Sequence, residues 1–211
     1  MADQDPTGGY PALWDWRRRV SDLYGAVRAE PDPRRAWALW RATRDSLFRD
    51  HPQSPLEPDA RRRFTGLPVF DYDPALRFLV EIDPVEAEPL AAEAGRDGAL
   101  SLLPFGRTRG LAAALGSELA LFWVGGYGGG VFLPFADATS GEDTYGGGRY
   151  LLDTIKSADL GSDAKGRTVL DFNFAYNPSC SYSPAWVCPL SPPGNRLGVA
   201  VRAGEKRPDE G

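Results

Sequence analysis

Two short segments hold most of the side chains able to bind or transform a small molecule: DATSGEDTYGGGRYLLD, residues 137–153, and LDFNFAYNPSCSYSPAWVCPLSPPGNRL, residues 170–197. Asp171 is a carboxylate able to act as a general base, and Tyr145 or Tyr176 a phenol able to donate a proton. Arg149 offers a bidentate fork for a carboxylate or phosphate. Asn173 or Asn177 supplies an amide to orient a bound group, with Thr144 and Asp137 as further polar contacts. Cys180 is an alternative nucleophile, with no evident base beside it. The candidate catalytic set is therefore Asp171, Tyr176 and Cys180, and the candidate substrate-binding set Arg149, Tyr145, Asn173, Asn177, Thr144 and Asp137. The same residues have a structural reading. Polar side chains among glycine and proline commonly satisfy turn backbones, and Arg149 with Asp171 would make a buried ion pair. Catalysis by Asp171 calls for a pKa raised by burial rather than lowered by Arg149.

Other chemistries find less support. Cys180 and Cys188 have seven residues between them, which is neither a CxxC motif nor a dense disulfide framework. Buried thiols, a disulfide or a reactive thiol all remain open. The sole histidine, His51 in RDHPQSPL, precedes a proline where a helix must end, and reads as a cation facing the helix C-terminus. Metal centres usually recruit several His or Cys ligands, so no metal is expected. The glycine cluster GGYGGG, residues 125–130, has no GxGxxG register and runs into VFLPF, which reads as a strand rather than a helix. A phosphate loop needs the helix, so the cluster reads as a wide hairpin or bulge, or a ligand-lining loop, and no cofactor is expected.

A net charge of -5 argues against nucleic acid as a partner. The runs Arg17, Arg18, Arg19 and Arg61, Arg62, Arg63 are short enough to be solvated faces or a small anion patch. No apolar stretch approaches the ~18 residues of a membrane span. The start, MADQDPTGGYP, lacks the basic and then apolar pattern of a signal peptide, which points to the cytoplasm. The expected partner is a small polar or anionic metabolite, and the oligomeric state is open.

These residues need a scaffold. A chain of 211 residues suits one domain, here 10–206, with a tail at 207–211. In residues 10–29, Leu13, Trp16, Val20, Leu23 and Val27 recur at helical spacing. Asp32 and Pro33 then supply the cap and first turn of a second helix, to about residue 50, with Trp37, Trp40, Leu47 and Phe48 on one side. Beyond this hairpin, residues 64–206 form a β-rich body. Strands are expected at 69–72 and 76–82, and apolar runs then alternate with turns at Asp97 and Gly98, at Gly116 and Ser117 (a two-residue hairpin), and at the glycine cluster. The class is α+β: an N-terminal helical hairpin packed on a mostly antiparallel, strongly curved sheet or partly closed barrel. A strand over 144–152 would be interrupted by Gly146, Gly147 and Gly148, implying that a ligand or an aromatic side chain crosses there. Leu170, Phe172 and Phe174 take the core face, leaving Asp171 and Asn173 on the other, and the proline-rich loop after them reads as a fixed lid or rim.

FADATSGEDTYGGGRYLLD, the 170–197 segment and the following VAVRAGEK together resemble the bacterial and archaeal family known as domain of unknown function 1684, and HPQSPL is similar to that family's N-terminal motif. The resemblance runs from about residue 10 to 206. It implies a shared fold and motif boundaries, and no activity. One departure is Gly194, where the family typically carries Glu, so any role of that carboxylate does not transfer. The function expected is an enzyme acting on a small molecule where the two segments meet. The alternatives are a non-catalytic small-molecule binding domain, and a structural or protein-interaction domain.

Overall fold

The apolar stripe over residues 10–29 and the start signal at Asp32 both become helices in the computed structural model, which describes residues 8–93 and 99–208. Helix α1 runs Gly9–Ala29 and α2 runs Pro33–Asp50. The Asp32 carboxylate accepts the backbone N–H groups of Arg34 (2.9 Å) and Arg35 (3.3 Å), and Pro33, which has no N–H to satisfy, fills the first turn. The facing stripes meet through Leu23, Tyr24, Val27, Ala36 and Trp40, whose indole donates to the Tyr24 hydroxyl at 3.2 Å. A short helix α3, Pro58–Arg63, carries Arg61, Arg62 and Arg63 in its last turn, where cations oppose the negative helix end.

The described residues form seven strands: β1 Arg77–Pro84, β2 Leu90–Glu93, β3 Ala99–Arg109, β4 Ala120–Val124, β5 Gly130–Phe135, β6 Arg149–Asp153 and β7 Thr168–Asp171. Every ladder is antiparallel, in the order β6-β5-β4-β3-β1-β7, with β2 beside the first half of β3. The outer strands turn back toward each other. Tyr150 of β6 exchanges both backbone hydrogen bonds with Tyr176, just beyond β7, at 2.8 and 3.0 Å. The result is the expected α+β fold, helices against a nearly closed antiparallel barrel.

Two prolines explain part of the curvature. The β3–β4 register shifts between Pro104 and Gly106, and the β5–β6 register between Leu133 and Pro134. Proline cannot donate to a ladder, so it sits where the pairing breaks, and such bulges bend the strand. Alternation then splits the side chains between two cores. Leu121, Leu133, Phe135 and Leu151 join Leu170, Phe172 and Leu197 in one, while Phe122, Phe132 and Tyr150 meet Trp40 and Phe174 of the helical side in the other. Burial on both faces is why ELALFWV and VFLPF read as nearly continuous apolar runs.

Some elements differ from expectation. Residues 69–72 form no strand, and Val69 makes a single bridge to Glu205. Gly116 does not close a two-residue hairpin. With φ of 79° it caps a helical turn, α4 (Ala112–Leu115), whose start is held by the Glu118 carboxylate through the N–H groups of Gly110, Leu111 and Ala112. Residues 144–148 form no strand: Thr144 makes a single bridge to Ser140 and the Gly148 N–H closes a turn onto the Tyr145 carbonyl at 3.1 Å, so β6 begins only at Arg149. Strand β7 ends at Asp171 and residues 172–174 coil into a 3-10 turn, so alternation does not set where Asn173 lies. Of the expected tail, Arg207 donates its backbone N–H to Asp143 at 2.9 Å. Residues 209–211 and the expected turn at Asp97 and Gly98 lie outside the described residues.

Candidate functional site

The polar residues of the two segments separate into distinct clusters. Arg149, Asp137 and Thr144 come together in the first. Arg149 is 1% exposed; its guanidinium donates to Asp137 Oδ2 (2.8 Å), to the carbonyls of Val201 (2.9 Å) and Glu205 (3.2 Å), and to that of Ala203. Burial lowers the Arg149 pKa, against the pull of Asp137. Asp137 Oδ1 accepts the Thr139 N–H and hydroxyl, and the Thr139 and Thr144 hydroxyls lie 2.8 Å apart. The arrangement fastens residues 201–205 to β6. The expected Arg149–Asp171 pair is not formed, because each has another partner. What crosses the glycines is the protein itself: a Cβ on Gly147 would meet the Tyr145 ring and Leu190, and one on Gly148 the Phe135 carbonyl and Ser191.

A second cluster surrounds Glu205, which is fully buried. One carboxylate oxygen accepts from Arg44 Nε (2.7 Å) and Nη2 (2.6 Å), the other from the Asn177 N–H (2.7 Å) and the Tyr182 hydroxyl (2.9 Å). Arg44 lies against the rings of Trp40, Phe48 and Tyr176. Burial pushes the Tyr176 phenol well above its ordinary range, the more so with Asp153 at 3.5 Å. It is a donor that holds its proton. Asn177 donates to the Lys206 carbonyl at 2.7 Å, while its buried Oδ1 has no hydrogen-bond partner.

Asp171 and Asn173 make the third cluster, which opens on a cleft. Asp171 Oδ1 accepts the Asn173 N–H (3.0 Å) and side-chain amide (2.7 Å); Oδ2 faces the Tyr72 hydroxyl (3.3 Å) and Arg77 Nε (3.7 Å). The Asn173 amide also pairs with the N–H and carbonyl of Asp73, at 2.8 and 2.7 Å. Burial raises the Asp171 pKa, and Asn173 and Arg77 only partly oppose it. The Tyr72 phenol is pushed up to about 12 by burial and by the Asp171 charge. The cleft encloses about 90 Å³ between the α1–α2 turn and the β1–β7 edge, walled by Arg28, Glu30, Arg77, Asp171, Val169 and Phe174. Tyr72, Arg77 and Glu30 escaped the sequence reading. Arg77 lies directly opposite Asp171 in the β1–β7 register, a cross-strand neighbour that spacing along the chain does not reveal.

The remaining candidates are Tyr145 and Cys180. Both cysteines are free and half-buried, and the Tyr145 hydroxyl lies 3.7 Å from the Cys180 sulfur. Each thiol is shifted chiefly by the other, Cys180 upward and Cys188 downward.

A larger groove, about 330 Å³, lies between α1 and the end of α2, lined by Asp15, Arg19, Ser46, Asp50 and His51. It contains a Ser, a His and an Asp without the geometry of a triad. His51 Nδ1 accepts the Gln53 N–H (3.0 Å) and Nε2 faces Asp15 (3.2 Å), while Ser46 donates to Asp50 (3.3 Å). Neither ring nitrogen is left to activate Ser46. Among the described residues no group of three or more His, Cys, Asp or Glu is placed to hold a metal ion, and no helix is long and apolar enough to cross a membrane.

Residues 62–206 match the family described as "Protein of unknown function (DUF1684)". The chain belongs to this family. The family match covers both polar segments and all seven strands, and begins after HPQSPL and the helical hairpin. A DUF1684 chain of this kind is similar to the solution NMR structure of an uncharacterized protein from Haloarcula marismortui, at 33% identity over 79% of this chain and 89% of that one, with a TM-score of 0.54. No curated protein matches. At Gly194, where the family resemblance leads one to expect Glu, an added Cβ would meet nothing, so the position accepts a side chain without disturbing its neighbours.

Proposed function

We propose that this protein binds a small metabolite in the cleft beside Asp171, in the cytosol, where free thiols such as Cys180 and Cys188 persist. The observation that supports this reading is the pairing of a buried carboxylate whose pKa is raised with an arginine that still reaches solvent, Arg77 being 34% exposed. A group of this kind takes or gives a proton near neutral pH more readily than an ordinary aspartate, as general acid–base chemistry needs. Arg77 matches an anionic group, and Asp171 a hydroxyl or ammonium on the same molecule. At ~30 Å³ per water the cleft holds about three waters, which limits the ligand's buried part to a few heavy atoms. The net charge of -5 also favours such a partner over nucleic acid.

A second reading, a structural or protein-interaction domain, is favoured by the first cluster, where Arg149 is engaged by Asp137 and three carbonyls. Thermal shift against small hydroxy acids, amino acids and phosphates separates the two. At about a hundred times Kd, binding adds ~2.7 kcal/mol. Stabilisation lost in both Arg77→Ala and Asp171→Asn supports the cleft. A panel that leaves the native chain unmoved favours the structural reading.

A further inference from the structure

The cleft beside Asp171 holds more cationic donors than the fold uses. Arg28, in the last turn of α1, and Arg77, the first residue of β1, both line it, one from the helical side and one from the sheet. Arg28 is exposed yet fixed in place. Its Nη1 donates to the Asp159 carbonyl at 2.7 Å, and its stem crosses Gly161, where an added Cβ would lie 3.2 Å from Arg28 Cδ. The segment beneath is itself tied down: the Gly161 N–H bonds to Asp159 Oδ1 at 2.9 Å, and the Gly161 carbonyl accepts the Val169 N–H of β7 at 2.9 Å. On the other wall, Arg77 Nε lies 3.7 Å from Asp171 Oδ2, beyond hydrogen-bond length. Among the described residues neither guanidinium makes a further hydrogen bond or ion pair. The carboxylates of the cleft are the reverse. Glu30 is taken by Arg35 Nη2 (3.2 Å) and the Asp32 N–H (3.1 Å), and Asp171 by Asn173, Tyr72 and Arg77. What the cleft has to spare is donors on two cations, which match an anion.

We propose that the anionic group received there is a phosphoryl group, gripped from α1 by Arg28 and from β1 by Arg77, an assignment that rests on the cleft being the ligand site. A carboxylate presents two oxygens in one plane and a single charge. A phosphoryl group presents three oxygens in different directions and carries about -1.5 to -2 near neutral pH, so it answers two guanidinium forks that come from separate elements. The size agrees. A cleft of about 90 Å³ takes about three waters, and the three phosphoryl oxygens fill that number of places. The remaining walls include Val27, Leu160, Val169 and Phe174, whose side chains have no donor or acceptor, so the part of the ligand next to the phosphoryl group carries at most the one hydroxyl or ammonium that Asp171 receives. Because Arg28 is already held by Asp159 and Gly161, little of its freedom is left to lose on binding. A phosphoryl group so held also links the helical hairpin to the barrel.

The test titrates the full chain at low salt with inorganic phosphate, acetate and glycolate, by calorimetry and by backbone amide shifts. Phosphate should bind at one site, with shifts centred on Leu160, Val169 and Arg77, and acetate at least ~10-fold more weakly. Arg28→Ala and Arg77→Ala should each weaken phosphate at least ~10-fold, as the loss of a charge-assisted hydrogen bond does. Arg28→Lys keeps the charge but not the fork, and should recover little. Arg18→Ala removes the same charge about 15 Å away along α1 and should leave the affinity unchanged. The phosphoryl assignment is overturned if acetate equals phosphate, if Arg28→Ala binds phosphate like the native chain, or if Arg18→Ala weakens it as much as Arg28→Ala. Glycolate binding better than phosphate, lost in Arg77→Ala and Asp171→Asn but kept in Arg28→Ala, overturns it while leaving the cleft as the metabolite site. Silence from all three anions overturns both.

Discussion

Two aspartate–arginine pairs lie in this protein, and they differ in what surrounds them. Asp137 and Arg149 are both buried, 2.8 Å apart, and three backbone carbonyls take further guanidinium donors. Asp171 and Arg77 are 3.7 Å apart at the wall of a cleft, with Arg77 34% exposed. Chemically the pairs are alike. The first has its hydrogen-bonding capacity consumed by the fold, and the second keeps some facing solvent, which is why the proposed ligand site is the cleft and not the motif richest in polar residues.

Mutation at each pair tests that contrast. Arg149→Ala leaves Asp137 buried and uncompensated and frees three carbonyls, with an expected loss of about 3–5 kcal/mol in denaturant unfolding. Arg149→Lys restores little of it, because an ammonium cannot reproduce the planar fork. Arg77→Ala, at a partly exposed pair, should lose no more than ~1 kcal/mol. Equal losses at the two arginines would erase the distinction drawn between them.

Gly148→Ala probes the chain crossing next to Arg149. Its φ of 89° is unfavourable for an L side chain, and the added Cβ would lie 2.6 Å from the Phe135 carbonyl. A loss of about 1–3 kcal/mol is expected from unfolding curves, well above that for Gly194→Ala, where the added Cβ has open space.

Glu118→Ala removes the acceptor for three N–H groups at the start of α4 and for the Thr108 hydroxyl, at about 1–2 kcal/mol. Burial pushes the Glu118 pKa up, but the bonds from Thr108 and the backbone outweigh it and the net shift is downward. Its contribution is therefore present above the ordinary glutamate range and lost as pH falls through the lowered value. Asp171 runs oppositely. Its raised pKa gives a contribution present below the ordinary aspartate range and lost as pH rises through the raised value. Asp171→Asn should accordingly change stability at pH 7 by less than about 1 kcal/mol and remove that gain on acidification, which urea unfolding at several pH values measures. A stability profile in Asp171→Asn identical to that of the native chain would contradict the raised pKa.

Reading from sequence picked out polar side chains that the fold buries, but not their neighbours. Asp171, Asn173, Arg149, Asp137, Thr144 and Asn177 are all buried. They divide among three clusters because each partner is remote in the chain: Asn173 pairs with Asp73, Arg149 with residues 201–205, Asn177 with Glu205 and Lys206. Glu205 gave one weak signal, as the one acid of VAVRAGEK. Nothing local marked Arg77 or Tyr72.

What the sequence determined by itself is local. Apolar spacing placed α1, Asp32 and Pro33 started α2, and the glycines at 125–130 turned β4 into β5, because caps, turns and helical stripes act over a few residues. What only the tertiary structure decided is which polar group meets which. Closure of the barrel through Tyr150 and Tyr176, the register that sets Arg77 opposite Asp171, and the return of residues 201–205 beside Arg149 all join distant parts of the chain. A strand slipped by one residue turns every side chain to the other face, so no reading of neighbours along the sequence fixes partners across it.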